Sequence, residues 1–141
     1  MNRTIARPKE KHKILLIYPL QGGSGAFVRH IPLGLLYTSA KLVKQGVSLE
    51  ILDCRLNPRM WREELRNKLD EETLMVGISV MTGTPVIQAS EISGMVKEFD
   101  PEINVVWGGP HATFNPKDIL ESENTCDYVV NGYGNEAFFK L

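Results

Sequence analysis

The feature that most restricts this chain is a recurring unit: a short apolar run, a turn rich in glycine or hydroxyl side chains, then a stretch with helical spacing. Lys13-Ile14-Leu15-Leu16-Ile17-Tyr18 is the first such run. Its lack of polar alternation marks a strand buried on both faces. The same reading predicts strands over Val47–Asp53, Leu74–Val80, Ile103–Trp107 and Asp127–Val130. Helices are predicted from Pro32 to Gln45, with Pro in the opening turn and Gly46 past the end, and from Pro58 to Leu69. Further helices are expected from Thr84-Pro85, from Pro116 to Glu121 and from Asn135 onward. Leu36, Ala40 and Val43 fall on one face of the first helix. Trp61, Leu65 and Leu69 do so on the second, and Ile92, Met95, Val96 and Phe99 on the third. Five strand–helix units with double-sided apolar strands imply an α/β fold: a doubly wound five-stranded parallel sheet in three α/β/α layers. The flavodoxin-like (Rossmann-like) order 2-1-3-4-5 is expected, with ligands bound outside the carboxyl ends of the strands.

Composition sets the outer limits. The 141 residues suit one domain, and a net charge of -1 with 43% hydrophobic residues excludes disorder for the whole. The near-neutral balance removes the electrostatic footprint of a nucleic-acid binder. No apolar run approaches the ~20 residues of a membrane span. Cys54 and Cys126 form neither a disulfide framework nor a C-x-x-C pair, so a reducing cytoplasm is expected and both are read as packing thiols. Residues 1–12, polar and basic, read as a flexible arm preceding a domain over 13–141.

Function must then lie in the loops behind the strands. After the first strand comes Gln21-Gly22-Gly23-Ser24-Gly25, whose backbone N–H groups could cradle a phosphate. Neither G-x-G-x-x-G nor G-x-x-x-x-G-K-[ST] fits, since Val28 holds the last dinucleotide position and no Gly-Lys pair exists. After the third strand, Ser79, Met81, Thr82 and Gly83 offer neutral hydrogen-bonding groups and room. Gly108, Gly109, Pro110, His111 and Thr113 follow the fourth strand, and Gly132, Tyr133 and Gly134 the fifth. Paired glycines directly behind buried strands suggest that something approaches the backbone closely. Together these loops describe a wide slot of small residues and hydroxyls, suited to a large, flat, mostly uncharged ligand. A valine at Gly109 is expected to block it and leave the fold intact. The three histidines lie far apart, so no metal site is expected, and Asp53 is read as structural rather than ribose-binding.

Four strings carry a resemblance: Pro32-Leu33-Gly34-Leu35-Leu36, Val76 to Gly83, Val106-Trp107-Gly108-Gly109-Pro110-His111-Ala112-Thr113, and Asp127 to Gly134. In this order and spacing they resemble the N-terminal cobalamin (vitamin B12)-binding domain of cobalamin-dependent radical S-adenosylmethionine enzymes. That group includes methyltransferases and the anaerobic magnesium-protoporphyrin IX monomethyl ester cyclase type. The likeness implies cobalamin held base-off, its dimethylbenzimidazole tail buried between sheet and helices, with Ser79, Thr82 and Thr113 pairing with tail polar groups. Cobalamin domains with a histidine ligand to cobalt carry Asp-x-His-x-x-Gly after the first strand. Residues 22–30 lack it, so the resemblance implies a His-off cofactor; that its lower side faces the 20–31 loop is a separate expectation, which the resemblance does not supply. Tyr133 and Asn135 stand where relatives often carry acids.

A radical S-adenosylmethionine core needs Cys-x-x-x-Cys-x-x-Cys for its 4Fe–4S cluster, and two cysteines cannot supply it. The chain is therefore read as a carrier module without a catalytic site of its own, its parent using a 4Fe–4S cluster and S-adenosylmethionine in a partner domain. Other readings stay open: a flavodoxin-like flavin or nucleotide domain using Ser24, or an interaction domain without ligand. A phosphoacceptor receiver domain is disfavoured, because its acids and lysine are absent from the strand ends.

Overall fold

A computed structural model describes residues 11–22 and 30–141. Five parallel strands, β1 (Lys13–Tyr18), β2 (Ser48–Asp53), β3 (Thr73–Ser79), β4 (Asn104–Gly108) and β5 (Tyr128–Val129), form one sheet in the order β2-β1-β3-β4-β5. The helices are α1 (Leu33–Lys44), α2 (Trp61–Lys68), α3 (Thr84–Phe99), α4 (Pro110–Phe114), α5 (Pro116–Ser122) and α6 (Gly134–Ala137), with a 3-10 turn over Phe138–Lys140. This is the flavodoxin-like arrangement expected from the apolar runs.

Period-two side-chain alternation splits the strands between two cores. Leu15, Ile17, Val76, Ile78, Val105 and Trp107 point to one side, where they pack on Trp61 and Leu65 of α2, Ile92 and Val96 of α3, and Ile119 of α5. Ile14, Leu16, Met75 and Val106 point to the other, where Leu35 and Leu42 of α1, Val130 and Phe138 meet them. Among the described residues, α2, α3, α5 and, through Ala112, α4 clad one face, while α1 and the short C-terminal pieces cover the other.

On α1 the buried stripe is Leu35, Ser39 and Leu42. Leu36 and Val43 are exposed, so the stripe read from the sequence is one residue out of phase. Both stripes have the same 4-then-3 spacing; the inner one admits a serine because Ser39 Oγ donates to the Leu36 carbonyl at 2.9 Å. Trp61, Leu65 and Leu69 are buried as the spacing implies. Phe99, in the last turn of α3, is 49% exposed instead of joining Ile92 and Val96. Strand β5 is shorter than its apolar run, and α4 occupies residues read as loop.

Residues 1–10 of the expected arm lie outside the described residues. Its last two are tied down: Lys11 pairs with Asp100 at 2.6 Å, and the His12 N–H donates to the Glu72 carbonyl at 3.0 Å.

Candidate functional site

Where the thinly covered face meets the carboxyl ends of the strands, a cavity of about 540 Å³ opens. Its floor is built from neighbours in the ladder. Leu16, Gly77 and Val106 stand side by side on β1, β3 and β4, and Ser79 pairs with Gly108 two residues nearer the strand ends. Helix α1 forms the roof through Leu33, Gly34, Leu35, Tyr37 and Thr38. Val130, Gly132, Tyr133, Gly134 and Phe138 close the side.

The glycines of the site differ in what stands over them. A Cβ on Gly77 would stand 2.7 Å from Leu16 Cδ2 and 3.1 Å from the Phe138 ring, so these two side chains fill the place over this glycine and must shift for any larger residue. At Gly108 a Cβ would meet only Val130 Cβ, at 3.8 Å, and at Gly34 nothing within 4 Å. A glycine in a helix costs about 0.8–1.0 kcal/mol relative to alanine. Gly34 therefore trades helix stability for open space beside the cavity.

Of the residues singled out in the sequence, Ser79, Gly108, Gly109, Gly132, Tyr133 and Gly134 line this cavity. Met81, Thr82, Gly83, Pro110, His111 and Thr113 do not; they lie in the segments that lead from β3 into α3 and from β4 into α4. Gly83 (φ 105°) and Gly109 (φ 90°) cap α3 and α4 in conformations that favour glycine, with prolines following in the first turn of each helix. Thr82 Oγ1 and His111 Nδ1 are 3.2 Å apart. The Thr113 hydroxyl donates to the Gly109 carbonyl at 3.0 Å and accepts the Gly132 N–H at 3.1 Å, bracing one glycine loop against the next. Met81 stands 38% exposed at the strand-end surface.

Gly109 corrects one expectation. Its Cβ would fall 3.0 Å from Val80 N and 3.1 Å from Val80 O, so a valine there strains the fold before it reaches any slot. Leu16, Gly34, Thr38, Gly77, Val106, Val130 and Phe138 were not singled out as site residues. Gly34 and Gly77 carried a legible signal, each being a glycine inside a regular element; the others read as ordinary core.

At the carboxyl ends of β1 and β2, the buried Arg55 forks onto Asp53, with Nε to Oδ1 at 2.8 Å and Nη2 to Oδ2 at 2.7 Å. Burial pushes the Asp53 carboxyl up, but the Arg55 side chain and backbone N–H outweigh it and hold it below the ordinary value. Arg55 also lies 4.2 Å over the Tyr18 ring and donates to the His30 carbonyl at 2.8 Å. At the other foot of the same loop, the Leu20 N–H donates to Gln88 Oε1. The glycine-serine stretch between them, with Ser24, lies outside the described residues, as does most of the 20–31 loop proposed to face cobalt. Asp53 is thus engaged structurally, as its setting implied.

Both cysteines are buried and free; desolvation pushes the thiols up to about 12 at Cys54 and about 11 at Cys126. Among the described residues, no group of three or more His, Cys, Asp or Glu is placed to hold a metal ion, and no helix is long and apolar enough to cross a membrane.

Chemically, then, the site is a largely apolar trough with one hydroxyl, that of Ser79, on its floor. It can enclose a flat group and offers no titratable side chain on its floor. A cobalamin tail fits such a cradle, because Gly108 leaves the outer floor bare and the walls are aliphatic and aromatic.

Comparison with known proteins agrees with this geometry. The family profile described as the B12 binding domain matches residues 26–141. An uncharacterized methyltransferase of Pyrococcus horikoshii is 30% identical over 112 residues, covering 78% of this chain and 24% of the relative. The anaerobic magnesium-protoporphyrin IX monomethyl ester cyclase of Synechocystis sp. is 28% identical over 113 residues, covering 78% of this chain and 22% of the relative. The chain thus spans about a quarter of the length of these curated relatives. Among solved structures, the radical S-adenosylmethionine methyltransferase TsrM of Kitasatospora setae, with cobalamin and a [4Fe-4S] cluster bound, superposes with a TM-score of 0.64. It is 22% identical, over 79% of this chain and 20% of TsrM, a likeness that bears on the fold.

Proposed function

The chain belongs to the B12-binding domain family, and on that premise we propose that the cavity beneath α1 receives the nucleotide tail of cobalamin, base-off and without a histidine ligand. The observation that carries this reading is the bare-floored apolar trough at the carboxyl ends of β3 and β4. Enclosing ~200 Å² of aromatic tail at ~25 cal/mol per Å² is worth on the order of 5 kcal/mol before ordering costs.

When bound, cobalamin supplies a cobalt centre able to carry a methyl group or an electron. The chain's own residues do the holding. Leu16, Val106, Val130 and Phe138 exclude water from the tail, Gly108 leaves it room, and Gly77 lets Leu16 and Phe138 pack closely beneath it. The Ser79 hydroxyl, at the outer end of the floor, bonds a tail nitrogen or the ribose. Thr113 keeps the glycine loops at fixed spacing. Met81, Thr82, Gly83, Pro110 and His111 form the rim on which the corrin rests. Thr82 and Thr113 act through the rim and the brace rather than inside the trough.

The relatives support a parent enzyme in which this module serves a radical S-adenosylmethionine domain, with a 4Fe–4S cluster and S-adenosylmethionine, in methyl transfer or cyclisation. The chain itself acts as carrier rather than catalyst, within the reducing cytoplasm that its two free thiols suit.

Hydroxocobalamin added to the protein is expected to co-elute in gel filtration and show the base-off absorption spectrum. Elution of the cofactor apart from the protein overturns the assignment; a base-on spectrum in the bound fraction overturns the tail placement.

A further inference from the structure

We infer that the cavity selects among corrinoids by the polarity of the tail base, accepting benzimidazole-type bases and rejecting purines; this rests on the reading that the tail enters the trough. The argument comes from what the deep end lacks. Its side chains are Leu16, Leu35, Val106, Val130 and Phe138, all buried, and none has a polar atom. The backbone of the floor is committed as well, because Leu16, Gly77 and Val106 are consecutive partners in the parallel ladder, and Val106 pairs onward with Tyr128. The roof adds the Thr38 hydroxyl, whose hydrogen is given to the Gly34 carbonyl at 2.9 Å. Ser79 stands two residues toward the mouth, beside Gly108.

A base with a methylated hydrocarbon edge leaves nothing unpaired at that depth. An adenine tail has nearly the same outline but brings an exocyclic amine and extra ring nitrogens, all hydrogen-bonded in water. At the deep end those groups face side chains with no polar atom, and the Thr38 oxygen above can accept from the amine but leaves the ring nitrogens without a donor. A polar group buried without a partner weakens binding by roughly tenfold to a hundredfold. Discrimination therefore arises from what the pocket withholds from the wrong base, as in other sites that reject a ligand by leaving its polar groups bare.

The test titrates the 141-residue protein with three corrinoids, followed by absorbance and isothermal calorimetry: cobalamin, its adenine-tailed analogue, and tail-less cobinamide. The expected result is cobalamin tightest, with the adenine form weaker by at least tenfold. Equal affinity for the two tailed forms, both tighter than cobinamide, overturns the selectivity and leaves the tail-binding assignment standing. Cobinamide as tight as cobalamin, or no binding of any of the three, overturns the tail-binding assignment and the selectivity with it.

Discussion

Placing valine at Gly108 and, separately, at Gly109 tests whether room for a ligand and integrity of the fold are governed by different glycines. The two are adjacent, yet their surroundings differ. At Gly109 the backbone has φ 90°, which costs a side-chain-bearing residue about 1–2 kcal/mol. The added Cβ would also press on Val80, whose N–H donates to the Gly108 carbonyl at 2.8 Å and whose carbonyl accepts the His111 N–H at 3.0 Å. Disturbing those bonds adds about 1 kcal/mol or more each. A total of about 3 kcal/mol lowers the melting temperature by roughly 6–12 °C in a domain of this size. At Gly108 the Cβ sits at an ordinary 3.8 Å from Val130 Cβ, and a β-branched residue suits a strand. Gly108→Val should therefore melt close to the parent protein. Its methyl groups occupy the trough; losing half of the ~5 kcal/mol of tail burial weakens cobalamin binding on the order of 50-fold. Circular dichroism melts and absorbance titrations read both quantities. Parental cobalamin affinity in Gly108→Val, or a parental melting temperature in Gly109→Val, refutes the division of labour.

Three other outcomes are expected. Gly94 lies within α3 with nothing within 4 Å of its Cβ position, so Gly94→Ala should stabilise the protein by about 1 kcal/mol in urea melts; no gain contradicts the open space. Ser93 Oγ accepts the buried Trp107 Nε1–H at 2.9 Å while donating to the Ala89 carbonyl at 2.7 Å. Ser93→Ala should cost about 1–3 kcal/mol and shift tryptophan emission, and a neutral result would show that Trp107 finds another acceptor. Asp53 has a folded-state pKa lowered by Arg55, so its contribution is complete above its ordinary value of about 3.9 and is lost as pH falls through the lowered one. Asp53→Asn should flatten the acid limb of a stability-versus-pH curve, and an acid limb as steep as the parent's counts against the pairing.

The sheet was legible because each strand is an apolar run bounded by turn residues, and a run such as Lys13–Tyr18 fits nothing but a two-sided strand. Trp61, Leu65 and Leu69 were legible because α2 is polar elsewhere, leaving one possible inner face. Helix α1 was not, since Leu35-Leu36 and Leu42-Val43 offer two equivalent stripes and only tertiary packing chooses between them. The glycine loops announced a site, but not which glycines open space and which hold turns: that depends on backbone angle and on neighbours distant in sequence, as at Gly109 and Val80. Val106 and Val130 line the trough through ordinary core chemistry, which no local pattern distinguishes from packing.

The uneven cladding of the sheet has a thermal consequence. Opening the four-helix face disrupts the core built on Trp61, Ile92 and Trp107, whereas lifting α1 exposes chiefly Leu35 and Leu42. The weaker side should therefore breathe at a fraction of the global unfolding free energy, with α1 amides exchanging hydrogen for deuterium well before those of α3. Such breathing admits a bulky guest without melting its host, and a captured guest then acts as the missing mortar, slowing exchange in α1 far more than anywhere else.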